Sequence, residues 1–421
     1  MLKKTLIIAI SILLSVNFSL FSQTKSQTIE TGQLNGQALV NGVSFAVPFM
    51  TIDPESRGGA MGDAGVATSP DANSMHWNPA KLVFIEGDAG GAVSYTPWLR
   101  NLVGDIDLLY LTGYYRLKKD QVVAASLRYF SLGDIQFTDN YGAPLLSVKP
   151  NEYAFDAAYS RMFGERFSGA FSFRYIRSAL SNGVINNVEM KPGQSAAADI
   201  SMYYIRPLKL EDKNAKLSFG FNISNIGNKM TYSSDQKKDF IPTNLKVGSA
   251  LLVDMDENNS ITITADVNKF LVPSRPVYWK SQVTGKTDTD STDLNDNKVI
   301  KYGKDPNVGI LTGMIQSFYD SPGEFDNKGH RSVFKGELDE VNYSLGLEYW
   351  YRKQFAIRTG YFHESQYAGN RKFITMGLGL KLNVLVFDFS YLLANSNNPL
   401  ANTLRFTISF NFNSAPKSGR K

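Results

Sequence analysis

Near the C-terminal end the chain reads Leu404, Arg405, Phe406, Thr407, Ile408, Ser409, Phe410, Asn411, Phe412, with every even position apolar and every odd one polar. Period two over nine residues is a strand with one apolar and one polar face. Segments of the same kind recur at 384–393, 371–382, 354–363, 341–351, 259–270, 242–253, 215–226, 196–206, 166–179, 151–163, 121–131, 107–117 and 89–97. With 402–412 they make fourteen strands, an even number. Most run about 10 residues, the length a tilted strand needs to cross a hydrocarbon core.

Alternation alone also fits a soluble sandwich, and three features separate the two. Tight connections at 118–120, 164–165, 352–353 and near Asn383 alternate with long ones at 132–150, 180–195, 227–241 and 271–340, as in an outer-membrane barrel. Aromatics gather at strand ends: Tyr114, Tyr115, Tyr203, Tyr204, Tyr349 and Tyr351 on the short-turn side, Tyr129, Tyr175, Tyr361 and Tyr391 on the other. Two such girdles are interfacial anchors. The polar phase carries Arg128, Asp156, Arg174, Asp199, Asp266, Glu348, Arg358, Lys381, Asp388 and Arg405. A closed sandwich core accepts so many charges only if they are paired, whereas a wet lumen accepts them freely. The expected fold is therefore an all-β, 14-stranded antiparallel transmembrane barrel, with Phe406, Ile408, Phe410 and Phe412 toward lipid and Arg405 in the lumen. On that reading Phe406→Arg costs far more than Arg405→Ser.

A short basic start, an uncharged apolar stretch over residues 5–21, and small or polar residues from Ser22 onward read as a secretory signal peptide ending near residue 22. No later apolar window reaches 18 residues, the shortest run read as a spanning helix. The layout is then 1–22 signal peptide, 23–88 N-terminal extension and hatch, 89–412 barrel and 413–421 tail. The chain has no cysteine, which removes disulfides, thiolate metal sites, cysteine nucleophiles and a lipoprotein anchor. Its net charge of +5 is scattered, so nucleic-acid binding has no footprint.

Ahead of the first strand, residues 53–85 are rich in small residues, with Gly58, Gly59, Gly62 and Gly65 allowing tight packing and Asn78-Pro79 starting a turn. The run from Met61 to Ala67, followed by Asn78-Pro79-Ala80, resembles the amino-terminal hatch of FadL-like outer-membrane proteins. That resemblance implies a folded segment plugging the periplasmic half of a fourteen-stranded barrel, with Gly58, Gly59, Met61, Gly62, Asn78, Pro79 and Ala80 as the hatch motif inside or beneath the barrel. The stretch from Ser94-Tyr95-Thr96-Pro97-Trp98-Leu99 through Gly133-Asp134-Ile135-Gln136-Phe137-Thr138 resembles more closely the PorV/PorQ family of type IX secretion in Bacteroidota, a likeness that rests on residues 57–140 and the overall layout, the Asn-Pro-Ala motif being shared among its paralogues. Membership implies a non-enzymatic subunit that docks on the large translocon barrel in the membrane lipid. It receives cargo C-terminal signal domains there and shuttles them to a surface attachment complex containing a sortase-like peptidase. A FadL-like channel for hydrophobic small molecules is the alternative.

No enzymatic constellation assembles around His76, His330 and His363, and no metal or cofactor is expected. Asp254, Asp256, Asn258 and Ser260 imitate an EF-hand, but Asn259 replaces its glycine and Ala265 its glutamate, which favours a hairpin turn. Asp288, Asp290, Asp293 and Asp296 read as a solvated loop. The better candidates are aromatics on the long loops: Trp98, Tyr141, Phe240, Trp279, Tyr302, Phe318, Tyr319 and Phe325. Such residues anchor a bound protein or pack the loop down as a lid. Loop 271–340, about 70 residues without an obvious period, is of the length that is usually functional or disordered; shortening it between Trp279 and Phe325 is expected to spare insertion and strand cargo.

Overall fold

The computed structural model describes residues 43–412, apart from 101–102, 139–143, 181–182, 186–187, 234–237, 279–298, 326–329, 395–399 and 401. Contacts divide the chain into two units, Val40–Pro276 with Ile300–Lys421, and Met1–Leu39 with Val277–Val299. Everything that follows concerns the first. The expected signal peptide at 1–22 and the tail at 413–421 lie outside the described residues. No described helix is long and apolar enough to cross a membrane.

Fourteen antiparallel strands close on themselves. They are β1 Ala89–Pro97, β2 Asp107–Lys118, β3 Gln121–Ser131, β4 Asn151–Gly164, β5 Phe167–Ala179, β6 Gly193–Leu210, β7 Lys213–Gly227, β8 Asn244–Asp254, β9 Ser260–Phe270, β10 Val341–Tyr351, β11 Phe355–His363, β12 Lys372–Leu382, β13 Leu385–Ala394 and β14 Leu404–Phe412. Each pairs with its sequence neighbour, and β1 pairs with both β2 and β14, so that Val93 lies opposite Leu111 on one side and Ile408 on the other. Closure is what lipid demands, because an open edge would leave backbone groups unsatisfied where no water reaches them. Phe171, Ile263, Leu378 and Ile408 are exposed on the outer face, while their neighbours Ser172, Thr264, Gly379 and Thr407 face inward.

The phase of β14 follows the sequence pattern, with Phe406 exposed and Arg405 buried. The aromatic girdle needs a correction. Tyr115, Tyr204, Tyr349 and Tyr351 are exposed at the short-turn end, but Tyr114 and Tyr203 are buried in the lumen, because adjacent strand residues must point to opposite faces. Lengths also differ: β6 and β7 overrun their expected limits and meet at a turn around Glu211 and Asp212. Residues 206–214 are exposed on nearly every position, so both faces meet water there and the alternation that marked the strand disappears.

The segment ahead of β1 runs down the whole lumen. Residues 43–52 sit at the long-loop end, where Phe49 stacks on Phe130 at 6.2 Å, Phe45 meets Phe270 at 5.0 Å, and Ala46 N–H donates to the Phe240 carbonyl at 2.8 Å. Two single-turn helices, α1 Ser56–Gly59 and α2 Ser74–Trp77, occupy the middle. The 3-10 turn Pro79–Phe84 closes the short-turn end, where Ser160 and Ser168 hydroxyls donate to the Pro79 and Ala80 carbonyls at 2.7 and 2.5 Å. The plug therefore fills more than the periplasmic half, since the apolar contacts of residues 43–52 with the mouth carry no period that a sequence reading could detect.

Loop 271–340 is not structureless either. Its described part holds α3 Ile310–Gln316 and α4 Val333–Asp339. Gly313 of α3 presses on Phe240 and Pro273, so a Cβ there would lie 2.7 Å from the Phe240 ring. The chain after α3 is held by Asp320, whose carboxylate accepts from Ser274 N–H at 3.1 Å and Gln316 Nε2 at 3.3 Å.

Two outcomes follow. Phe406→Arg places a charge on the lipid face and should cost about 2 to 4 kcal/mol in urea-driven unfolding from vesicles; tolerance of that change would invert the assigned phase. Burial raises Asp320 from 3.8 to about 6, aided by the charge of Glu337 and opposed by the hydrogen bond from Ser274. The folded loop therefore binds the proton more tightly than the free chain, and its anchoring weakens as pH rises from about 4 to about 6, then levels off. A spin label at Thr312→Cys should be more immobilised at pH 4.5 than at pH 7.5, and Asp320→Asn should flatten the difference. Greater immobilisation at pH 7.5 would contradict this.

Candidate functional site: the plugged lumen and the outer loops

The hatch residues fall at the points of closest contact between plug and wall. Gly62 has a left-handed backbone (φ +69°), and a Cβ on it would come within 2.6 Å of the Tyr361 backbone nitrogen. Opposite it, a Cβ on Gly360 would lie 2.1 Å from the Gly62 nitrogen, so two glycines meet where no side chain fits. Gly58 and Gly65 flank the Trp77 ring, and Gly59 lies against Arg405. Met61 is buried against Gly346 and Gly360.

Asn78 has no exposed surface and all its polar atoms are used. Its Oδ1 accepts from Ala80 N–H at 3.1 Å, while Nδ2 donates to the carbonyls of Val66 at 3.1 Å and Met202 at 2.9 Å. It thus caps the turn that Pro79 begins and ties it to both the plug and strand β6. Glu55 caps α1, accepting from Arg57 N–H at 2.6 Å, and holds the Trp77 indole N–H at 2.8 Å.

The inward charges do not sit in a wet lumen. Arg57 of the plug grips Glu348 of β10 with two bonds, Nε to Oε2 at 2.9 Å and Nη2 to Oε1 at 2.8 Å, and reaches Asp71 at 2.8 Å. Arg358 shares Glu348 at 2.7 Å and binds Asp388 at 2.7 Å. On the opposite wall Arg174 pairs with Asp156 and with Asp199, the latter at 3.1 Å. Asp266 accepts the backbone N–H groups of Gly65 and Val66 at 2.7 and 2.9 Å. Arg405 lies 3.3 Å from Asp63 of the plug. All the charged side chains on the wall named here are buried, while Asp71 of the plug is partly exposed; Lys381, at the short-turn end of β12, is the exposed member of the expected set. Arg405→Ser therefore carries a cost of its own, because it would strip a buried carboxyl of its cation.

His76 joins the lock. Arg128 Nη2 is 2.7 Å from its Nδ1 and can only donate, so Nδ1 accepts and Nε2–H donates to Asp53 at 2.8 Å. Arg128 also donates to the Met50 and Ile52 carbonyls at 3.0 and 3.3 Å. At the lower end Arg116 donates to the carbonyls of Val83 and Ile85. His363 lies 3.3 Å from the Tyr361 hydroxyl at a strand end, and His330 is on the loop surface, so the three histidines form no cluster. No group of three His, Cys, Asp or Glu suited to a metal occurs among the described residues. Asp256 accepts from Asn258 and Asn259 N–H, both at 2.8 Å, and so builds the hairpin turn. Residues 288–296 lie outside the described residues.

The loop aromatics are not brought into one patch. Phe240 is buried, Trp98 packs half-buried on the cluster around Phe49 and Phe130, and Tyr302 and Phe325 meet edge to face at 5.4 Å with Arg331 over Tyr302. Phe318 and Tyr319 are exposed, and Tyr141 and Trp279 lie outside the described residues. Sequence reasoning missed Arg57, Asp71 and Lys81, whose ammonium donates to the Gly65 carbonyl at 2.6 Å, and Lys246 of β8, 3.6 Å from Asp53. The signal for the first three was charge inside a small-residue segment, and for Lys246 charge on the inward phase of a strand. It also passed over Gly220, Gly248, Gly346, Gly360 and Gly377, whose signal was glycine recurring on the inward phase of strands.

A closed, lipid-facing barrel of fourteen strands, stoppered by its own N-terminal segment, defines an integral outer-membrane β-barrel protein with a plugged lumen. Within that class, the family model described as "Type IX secretion system protein PorV" matches residues 35–277, more than half of the chain, and the chain belongs to that family. Among solved structures it is similar to the Ralstonia pickettii toluene transporter TbuX (9% identity, 85% of this chain and 98% of that chain, TM-score 0.43). It is similar also to the Pseudomonas putida toluene transporter TodX (10% identity, 85% and 97%, TM-score 0.43) and to a Pseudomonas aeruginosa FadL homologue (10% identity, 88% and 100%, TM-score 0.42). Similarity at this level says nothing of what this chain handles. Comparison with curated proteins finds no match.

Glu348→Ala leaves two buried guanidinium groups short of an anion and should cost about 3 to 5 kcal/mol. In an Arg57→Met background the same change should cost at least about 1 kcal/mol less, since one stranded cation is gone. Additive costs in a double-mutant cycle read by unfolding from vesicles would mean that plug and wall are not coupled through Glu348.

Proposed function

We propose that this barrel is a non-enzymatic receiver and shuttle of protein secretion. It docks on the large translocon barrel, takes up the C-terminal signal domain of exported cargo, and hands it to a surface attachment complex that contains a sortase-like peptidase. On this reading residues 1–22 are a signal peptide removed on export. Family membership supports the setting, and one observation carries the mode of action. The plug fills the lumen from mouth to base and is ion-paired to strands β8, β10 and β14 through Lys246, Glu348 and Arg405, so a folded cargo domain has no route through this barrel and must be handled on its outside.

The rival reading, a channel for hydrophobic small molecules, needs an apolar cavity of roughly 300 to 1,000 Å³. Among the described residues, the cavity at the mouth, lined by Phe45, Phe270, Glu340, Asn342, Glu364 and Arg371 among others, holds about 180 Å³. A second, beside Asp53, His76 and Lys246, holds about 60 Å³ and is polar. Neither suits a greasy ligand in transit.

For cargo contact the better candidate is the Tyr302, Phe325 and Arg331 group, two half-buried rings meeting edge to face under an exposed guanidinium, whose mutual packing limits the freedom lost on binding. A tagged wild-type protein should co-purify with a very large barrel protein and with cargo signal domains. Tyr302→Ala with Phe325→Ala should leave insertion intact and reduce surface attachment of cargo at least about fivefold. Recovery of bound fatty acid without protein partners, and normal cargo display by the double variant, would transfer the case to the channel.

A further inference from the structure

The described part of loop 271–340 carries two helices with their apolar faces turned outward. On α3, Leu311 and Ile315 are 69% and 65% exposed, and the stripe continues through Phe318 and Tyr319. On α4, Phe334 is 74% exposed and Leu338 follows one turn later. The opposite faces hold the small and polar residues: Gly313 and Gln316 on α3, Gly336 and Glu337 on α4, all buried against protein. Helices in water show the reverse arrangement. Apolar residues outside and polar ones within is instead the arrangement of the barrel wall, where Ile263 is 53% and Tyr343 43% exposed.

The stripe is continuous with that wall. Along β9 the even positions Thr262, Thr264 and Asp266 face the lumen and the odd positions Ile263 and Val267 face lipid. Lys269 therefore belongs to the lipid-facing column, and its register is unbroken, with Val267 opposite Tyr343 and Lys269 opposite Val341. Yet Lys269 is buried, because Glu337 and Glu340 at the end of α4 hold its ammonium at 3.0 and 2.7 Å. The Phe318 ring lies 6.0 Å from the same nitrogen. The loop thus closes over the outer side of the rim at β9 and β10, directly above the lipid-facing Val267 and Tyr343. Beside the stripe, Lys304 stands over the Tyr319 ring at 3.8 Å, an aromatic and a cation of the kind that pair at a lipid interface.

We infer that α3 and α4 form an interfacial collar that rests on the outer-leaflet lipid, with Leu311, Ile315, Phe318, Phe334 and Leu338 at the boundary between headgroups and acyl chains. The collar takes Phe318 and Tyr319 out of the set available to cargo. It requires only that the barrel sits in a bilayer, and it stands or falls separately from the shuttle reading.

The absence of cysteine makes the test direct. Leu311→Cys, Ile315→Cys and Phe334→Cys, each labelled with a polarity-sensitive fluorophore, are reconstituted in phosphatidylcholine and phosphatidylglycerol vesicles containing a lipid spin-labelled near its headgroup. Val267→Cys is the wall control and Glu257→Cys, on an exposed turn at the other end, the aqueous control. A heat-modifiable gel shift selects folded variants, and because all three collar sites are exposed, any one that folds suffices. The expected result is quenching within twofold of Val267→Cys and at least threefold above Glu257→Cys. Quenching at the Glu257→Cys level would overturn the collar. So would shielding that appears only when outer-membrane protein partners are added, which would give the stripe to a protein.

Discussion

Glu348 has no exposed surface and lies between two guanidinium groups, one from the plug and one from the neighbouring strand β11. Neither its charge nor theirs could be buried alone. Because Arg57 comes from a segment that no strand pairing holds, the barrel's inner charge is balanced only when that segment is in place. The same logic repeats around the wall, at Asp266 with the Gly65 and Val66 amides and at Arg405 with Asp63. Lipid fixes the outside of this molecule by excluding polar backbone. The plug fixes the inside by completing pairs.

From that follows a division of labour. The lumen, narrowed by Gly62 against Gly360 and stoppered at the base by the Asn78-Pro79-Ala80 turn, has become a core. Barrels that transport through the lumen keep it open or make the plug movable; here the cost of parting Arg57 from Glu348 and Arg405 from Asp63 opposes movement. What remains for function is the outer rim and the loops above it. The proposed handling of cargo on the outside of the barrel is compatible with such a plugged body.

The fold was legible because strands that separate lipid from a polar interior must alternate, and β14 does so without a break from Leu404 to Phe412. Legibility ended where that contrast ended. Around Glu211 both strand faces meet water, so the ends of β6 and β7 gave no signal. Tyr114 and Tyr203 were sided wrongly because an adjacent pair of tyrosines looks like one girdle, although alternation must turn one of each pair inward. The charges were placed on the right phase but given the wrong surroundings. The partners that the plug supplies are remote, Arg57 lying 291 positions from Glu348, and no local pattern reports a contact of that range. For the loops the reading found the aromatic residues and not their arrangement, since Phe240 is buried under α3 while Leu311 and Ile315, which are not aromatic, carry the exposed stripe.

The central claim is that plug and wall form one closed body. It is tested most directly by single-channel recording of the purified wild-type protein in a planar bilayer at neutral pH. A sealed lumen predicts a flat current across a wide voltage range, with no steps of the size a fourteen-stranded pore would give. Stable open-channel conductance from the intact wild-type protein would contradict it, and would mean that the segment holding Arg57 leaves its partners while the barrel stays in the membrane.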